Sequence, residues 1–178
     1  MPSRVSSALF AGDRRYCWVL AVLVLVLDQL TKHLAFAGAA RQGIDLIPGV
    51  LRLITRTNPQ GALSLGPSAP GFYIAATLGG LALIAWMFLS SPAHRLRPYI
   101  ALGVVAGGAL GNLVDRLAYR AVRDFLVLPF MDWAHWPGAF NVADVGICVG
   151  VGLLLLEAFR PAPPKGPPPK PARQRPLP

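Results

Sequence analysis

Charge is scarce in this chain, and negative charge is scarcest. Only 14% of the 178 residues are charged, and 8 Asp and Glu stand against 17 Lys and Arg. A soluble domain carries nearer a quarter charged residues, so an ordinary water-facing globule is excluded. Cysteine is nearly absent: Cys17 and Cys148 both fall within or beside apolar runs. Two such residues give no disulfide framework and read as small buried hydrophobes. His33, His94 and His135 are scattered, with no HExxH or CxxC spacing, so no metal site or cofactor is expected. No GxSxG occurs, and Ser64 and Ser68 have no base beside them, which removes the usual serine nucleophile.

What the chain has instead is long apolar runs. It is 54% hydrophobic. About 20 apolar residues cross a bilayer as a helix, and four stretches qualify: Trp18–Ala37, Gly71–Ser90, Pro98–Tyr119 and Phe140–Phe159. The first has a rival reading, because Arg14-Arg15, an apolar run and Ala35-Phe36-Ala37 follow the order of a cleavable signal peptide. Asp28 and Lys32 interrupt that run and favour a retained helix. With the N-terminus inside, the cytoplasmic pieces hold ten Lys and Arg and the outer loops five. That bias puts both termini in the cytoplasm. The net charge of +9 then rests against anionic lipid head groups, and nucleic acid is not needed as a partner. Trp18, Trp86, Tyr73, Tyr99 and Tyr119 lie near span ends, as an aromatic belt requires.

Between the spans, Leu46–Arg56 reads as two short strands broken at Pro48-Gly49. A small outer sheet within residues 38–70 would suit it. The second outer loop, residues 120–139, carries Asp124, Asp132, His135, Trp133 and Trp136, and its two tryptophans suggest a segment at the interface. Residues 161–178 hold half of the 18 prolines and read as an extended, solvated basic tail. Residues 1–17 form a cytoplasmic segment and 18–160 one membrane domain. Gly103, Gly107 and Gly111 in the third span, and Gly146 and Gly150 in the fourth, are spaced for close helix packing in lipid.

Against this background three carboxylates stand out. Asp28, Asp115 and Asp144 lie in or at the edge of apolar stretches, where each costs about 2.5–3.5 kcal/mol on insertion scales. Asp28 and Lys32 share a helix face and read as an ion pair. Asn112, Asp115 and Arg116 share another face, and Asn141 and Asp144 a third. Asp124 follows the third span closely and can stand opposite Asp144. Two carboxylates held close share a proton: one is a base for water, the other an acid that polarises a carbonyl. That is the chemistry of peptide hydrolysis. Intramembrane Asp, Lys and Arg also build ion relays, so a small proton- or ion-coupled transporter is the alternative, and a non-catalytic scaffold a third reading.

Four motifs carry a resemblance. Asp28-Gln29-Leu30-Thr31-Lys32, Gly111-Asn112-Leu113-Val114-Asp115-Arg116, Val122-Arg123-Asp124-Phe125 and Phe140-Asn141-Val142-Ala143-Asp144 occur in order across the four spans. They resemble the DxxTK, GNxxDR, VxDF and FNxAD motifs of the lipoprotein signal peptidases (signal peptidase II). The resemblance implies an all-α integral membrane protein of four transmembrane helices with a small extracytoplasmic β-cradle. It implies catalytic Asp124 and Asp144, with Asp28, Lys32, Asn58, Asn112, Asp115, Arg116 and Asn141 shaping or supporting the site. It implies lipidated prolipoprotein substrates, membrane lipids as partners, and cleavage before the lipidated Cys in a bacterial inner membrane. One motif departs: in Asn58-Pro59-Gln60-Gly61-Ala62-Leu63, Gln60 and Leu63 stand where the family has Gly and Phe.

Overall fold

The computed structural model describes residues 9–38, 43–59, 70–130 and 138–160. The Gln60 and Leu63 departures, Ser64, Ser68, the Asp132–Trp136 segment and the proline-rich tail lie outside the described residues. The elements run α1 (Arg14–Ala37), β1 (Ile44–Ile47), β2 (Leu51–Asn58), α2 (Pro70–Ser90), α3 (Leu96–Tyr119), β3 (Val122–Val127) and α4 (Val142–Ala158). The chain is thus mostly helical with a small sheet. Three helices, α1, α2 and α3, are long and apolar enough to cross a membrane. α4 has 17 residues, a rise of about 26 Å at ~1.5 Å per residue.

α3 is the central helix, because its small residues let two neighbours approach. A Cβ on Gly103 would meet the Cys17 carbonyl oxygen at 2.5 Å, and one on Gly107 the Ala21 carbonyl oxygen at 2.6 Å. One on Gly111 would fall on the Asp28 carboxylate. The glycine stripe therefore seats α1. On another face, Gly108 lies against the Ala143 carbonyl of α4, while Gly146 and Gly150 of α4 receive Val104 and Val105. In lipid no water is expelled between helices, so this close van der Waals approach is what holds them. The outward faces stay apolar and exposed: Val19, Val22, Val26 and Leu30 on α1, and Leu78, Leu83 and Trp86 on α2.

At one end of the bundle, Cys17, Phe88, Tyr99 and Leu102 form a buried cluster. Tyr99 is fully buried, which corrects its reading as an interfacial belt residue. Its hydroxyl accepts from Arg14 Nε at 3.1 Å and donates to the Ser91 carbonyl at 2.7 Å. The polar tip is satisfied inside the protein and has no need of the interface.

At the other end sits the sheet, in the order β1-β2-β3 with both pairings antiparallel. β1 and β2 form the expected hairpin, turning at Pro48-Gly49 with Gly49 at φ 73°. The third strand comes from the segment read as an interfacial loop. Arg120 takes a left-handed conformation that ends α3, and the chain then runs into β3. A helix end followed closely by a strand edge fixes Asp124 relative to α3.

Gly107→Ala pushes a methyl into the backbone of α1 and is expected to destabilise the protein by about 1–3 kcal/mol, the usual range for overpacking. Gly79→Ala on α2, where a Cβ meets nothing within 4 Å, should leave stability unchanged or slightly raised. Thermal unfolding of both variants in detergent checks the contrast.

Candidate active site

Asp144 owes its position to the start of α4. Asn141 is the N-cap in extended conformation, and its Oδ1 accepts from the Asp144 backbone N–H at 3.0 Å. Asp144 Oδ2 reciprocates by accepting from the Asn141 backbone N–H at 3.1 Å. This capping box satisfies two otherwise orphan amides. It also places a carboxylate at the N-terminus of α4.

Asp124 owes its position to strand register. It pairs with Arg56 across β2–β3, and Asn58, two residues along β2, is its diagonal neighbour on the same face. Asn58 Nδ2 donates to Asp124 Oδ2 at 3.1 Å. Asn141 Nδ2 donates to the other oxygen, Oδ1, at 2.7 Å. Asn141 therefore touches both aspartates, one through its backbone and Oδ1, the other through its amide nitrogen.

Behind this pair lies a layer of buried charge. Lys32 is fully buried; its ammonium contacts Asp28 at 2.8 Å, Asp115 at 3.3 Å and Asn112 Oδ1 at 2.9 Å. Asn112 then presents its Nδ2 to Asp144 Oδ1 at 2.8 Å. Asp28 also accepts from the Ala143 backbone N–H at 2.9 Å, which ties α1 to the first turn of α4. Asp115 takes a second cation: Arg123 donates to it from its backbone N–H and from its guanidinium, each at 2.8 Å.

The residues singled out from sequence, Asp28, Lys32, Asn58, Asn112, Asp115, Asp124, Asn141 and Asp144, thus meet in one connected network. Arg116 joins it through charge and not through hydrogen bonds: Asp144, Asp124 and Asp115 all act electrostatically on its guanidinium. That guanidinium lies over the Tyr73 ring, 5.5 Å from the centroid. The ion-pair partners of Asp115 are Lys32 and Arg123. Two further contributors are not singled out by the sequence. Gln29 bridges Arg123, the Gly111 carbonyl and Asp28. Arg123 holds the residue before Asp124 to α3. Both lie inside quoted motifs, but their roles show only when α3 turns into β3 and brings Arg123 back to Asp115 and across to Gln29. The capping box was legible, since Asn-x-x-Asp before an apolar run carries its signature.

A family model described as Signal peptidase (SPase) II matches residues 20–160. The chain belongs to the signal peptidase II family. A lipoprotein signal peptidase of Nitratidesulfovibrio vulgaris (strain DP4) is 41% identical over 153 residues, spanning 83% of this chain and 92% of that protein. Another, of Symbiobacterium thermophilum, is 40% identical over 143 residues, spanning 78% and 91%. Among solved structures, a bacterial membrane enzyme determined by the in meso method at 2.3 Å aligns with a TM-score of 0.72 at 26% identity. That alignment covers 80% of this chain and 86% of the other. The family and its apolar helices make this a membrane peptidase of the bacterial inner membrane.

The family's two motif aspartates differ in setting. Asp124 is 2% exposed. Burial, and secondly the charge of Asp144, push its pKa up to about 6 from 3.8, against the opposing hydrogen bonds of Asn58 and Asn141. A carboxyl raised in the folded state binds its proton more tightly there than in the unfolded chain. Between pH 3.8 and about 6, folding therefore takes up a proton, and this group's contribution to stability falls as pH climbs through that window.

Asp144→Asn removes the Coulomb part of this shift and leaves burial. The Asp124 pKa should drop below 6 yet stay above 3.8, read by carbon NMR of the labelled side-chain carboxyls. The fall in melting temperature across the same window should become shallower.

Proposed function

We propose that this chain is an intramembrane aspartic endopeptidase that removes signal peptides from diacylglyceryl-modified prolipoproteins, cutting just before the lipidated Cys. The observation that carries this reading is the bridge at Asn141. One asparagine donates to two carboxylates, from its side-chain amide to Asp124 on a strand and from its backbone N–H to Asp144 at a helix N-terminus. α4 is read as a fourth crossing, both termini as cytoplasmic and the sheet as lying at the outer face. The domain boundaries keep the division 1–17, 18–160 and 161–178. The acyl chains of a lipidated Cys remain in the bilayer, so a pair at the membrane's outer edge meets the scissile bond at its own depth.

The charge count supports a shared proton. Among the groups withdrawn from solvent, Lys32, Arg116 and Arg123 stand with Asp28, Asp115, Asp124 and Asp144, while Arg56, opposite Asp124 in register, is exposed. Three cations balance four carboxylates when the pair holds one proton. Asp144 takes the ionised role, at a helix N-terminus with both oxygens accepting hydrogen bonds. Asp124 takes the protonated role, because it is sealed from solvent and the charge of Asp144 beside it opposes its ionisation.

Hydrolysis then runs as follows. Asp144 removes a proton from a water as the water oxygen bonds to the scissile carbonyl carbon. Asp124 gives its proton to the carbonyl oxygen. The resulting diol collapses as the C–N bond breaks. Asp144 passes its proton to the departing nitrogen, and Asp124 recovers one from the diol. The products are a carboxylic acid on the signal peptide and a free amine on the lipidated Cys.

Asp124→Asn and Asp144→Asn should each lower cleavage of a diacylated precursor peptide by about 10²–10⁴-fold, the range for losing an acid or base. Both variants should still fold and insert. Normal turnover by either one on the purified precursor would sink the aspartic assignment.

A further inference from the structure

Tyr73 sits in the first turn of α2, the helix that packs on α3 beside the aspartate pair. Its hydroxyl is shut off from solvent and has no hydrogen-bond partner, a condition no other buried side chain shares among the described residues. Its ring lies under the Arg116 guanidinium. Among the described residues that guanidinium has no carboxylate at ion-pair distance and donates no hydrogen bond, although Asp144 and Asp124 both act on it electrostatically. Two donors therefore stand together, next to the pair that does the chemistry, with no acceptor between them. A buried hydroxyl without a partner is unfavourable and calls for an explanation. A bound molecule that supplies an acceptor oxygen is one.

We propose that the Tyr73 hydroxyl, with Arg116 stacked on its ring, binds a carbonyl oxygen of the lipidated substrate. This rests on the peptidase reading and names a contact for it. The acceptor is a neutral carbonyl and not a phosphate. The Arg116 charge is already matched in the balance of three cations, four carboxylates and one proton, and an anion would add repulsion beside Asp124 and Asp144. A carbonyl oxygen takes both donors and leaves that balance intact. Phe72, exposed and edge-on to Tyr73 at 5.3 Å, gives this end of α2 an apolar side along which an acylated group can approach. Two parts of the substrate carry such an oxygen: the peptide backbone and the esters of the diacylglyceryl group.

The test is Tyr73→Phe in the full chain, assayed on a diacylated precursor peptide. The phenyl ring keeps the stacking under Arg116 and loses only the hydroxyl. KM should rise roughly five- to tenfold with kcat little changed, as for a contact made in the bound ground state. The melting temperature of the free protein should stay level or rise, because the hydroxyl has no partner to lose. A precursor carrying ether-linked chains distinguishes the sources. If the penalty disappears with ether chains, the oxygen is an ester carbonyl; if it persists, it is a peptide carbonyl. Wild-type cleavage with KM unchanged in the variant on both substrates overturns the Tyr73 site and leaves the peptidase reading standing. A lowered melting temperature with unchanged KM also overturns it, in favour of a packing role. Absence of cleavage by the wild type overturns both.

Discussion

The buried ammonium of Lys32 is the constraint on which the rest depends. It can only donate, and it is sealed from solvent. It must be met by acceptors, and α3 supplies two of the three through Asp115 and Asn112, with Asp28 of its own helix the third. Removing any one would leave charge uncompensated in a medium that does not forgive it. The demand therefore fixes how α1 lies on α3, and the glycine stripe makes the approach short enough for it to be met.

From Lys32 the orientation passes outward by hydrogen-bond polarity alone. Asn112 must turn its oxygen to the ammonium, so its amide nitrogen faces Asp144. Asn141 must turn its oxygen to the Asp144 N–H, so its nitrogen faces Asp124. Each amide has one workable orientation. A donor-only group at the centre thus leaves two carboxylates at the edge, each held by fixed donors. Asp28 closes the frame from behind by accepting from the backbone of α4, and Arg123 closes it from the side by locking the start of β3 to Asp115. Nearly every polar atom of the network is used; beside it, under Arg116, the Tyr73 hydroxyl is the one buried side-chain group without a partner among the described residues.

Much of this was legible beforehand. Helix positions followed from apolar runs, which are nearly independent of context when the solvent is lipid. The β1–β2 hairpin followed from Pro48-Gly49, and the site from charges too costly to keep idly. Tyr99 misled because hydropathy and position describe an interfacial tyrosine, while the Ser91 carbonyl and Arg14 make a buried one acceptable. β3 is not legible in the sequence, because Arg123-Asp124 interrupts its apolar character and its pairing partner lies far back in β2. Arg116 follows Asp115 directly, and adjacent helical residues point some 100° apart, so Asp115 meets Lys32 and Arg123 while Arg116 lies over Tyr73 within electrostatic reach of the aspartates.

The sequence by itself determined the class of the protein, its apolar helices, the hairpin and the motif aspartates, since these depend on local composition and on the cost of charge in lipid. Tertiary structure alone decided which groups bond to which. Asp115 answers to Arg123, Asn58 reaches Asp124 through strand register, and Tyr73 lies under Arg116 with its hydroxyl unpartnered. The reason is directional. A hydrogen bond or a stacked cation depends on distance and angle between residues far apart in the chain, and those are set only when the helices have closed on one another.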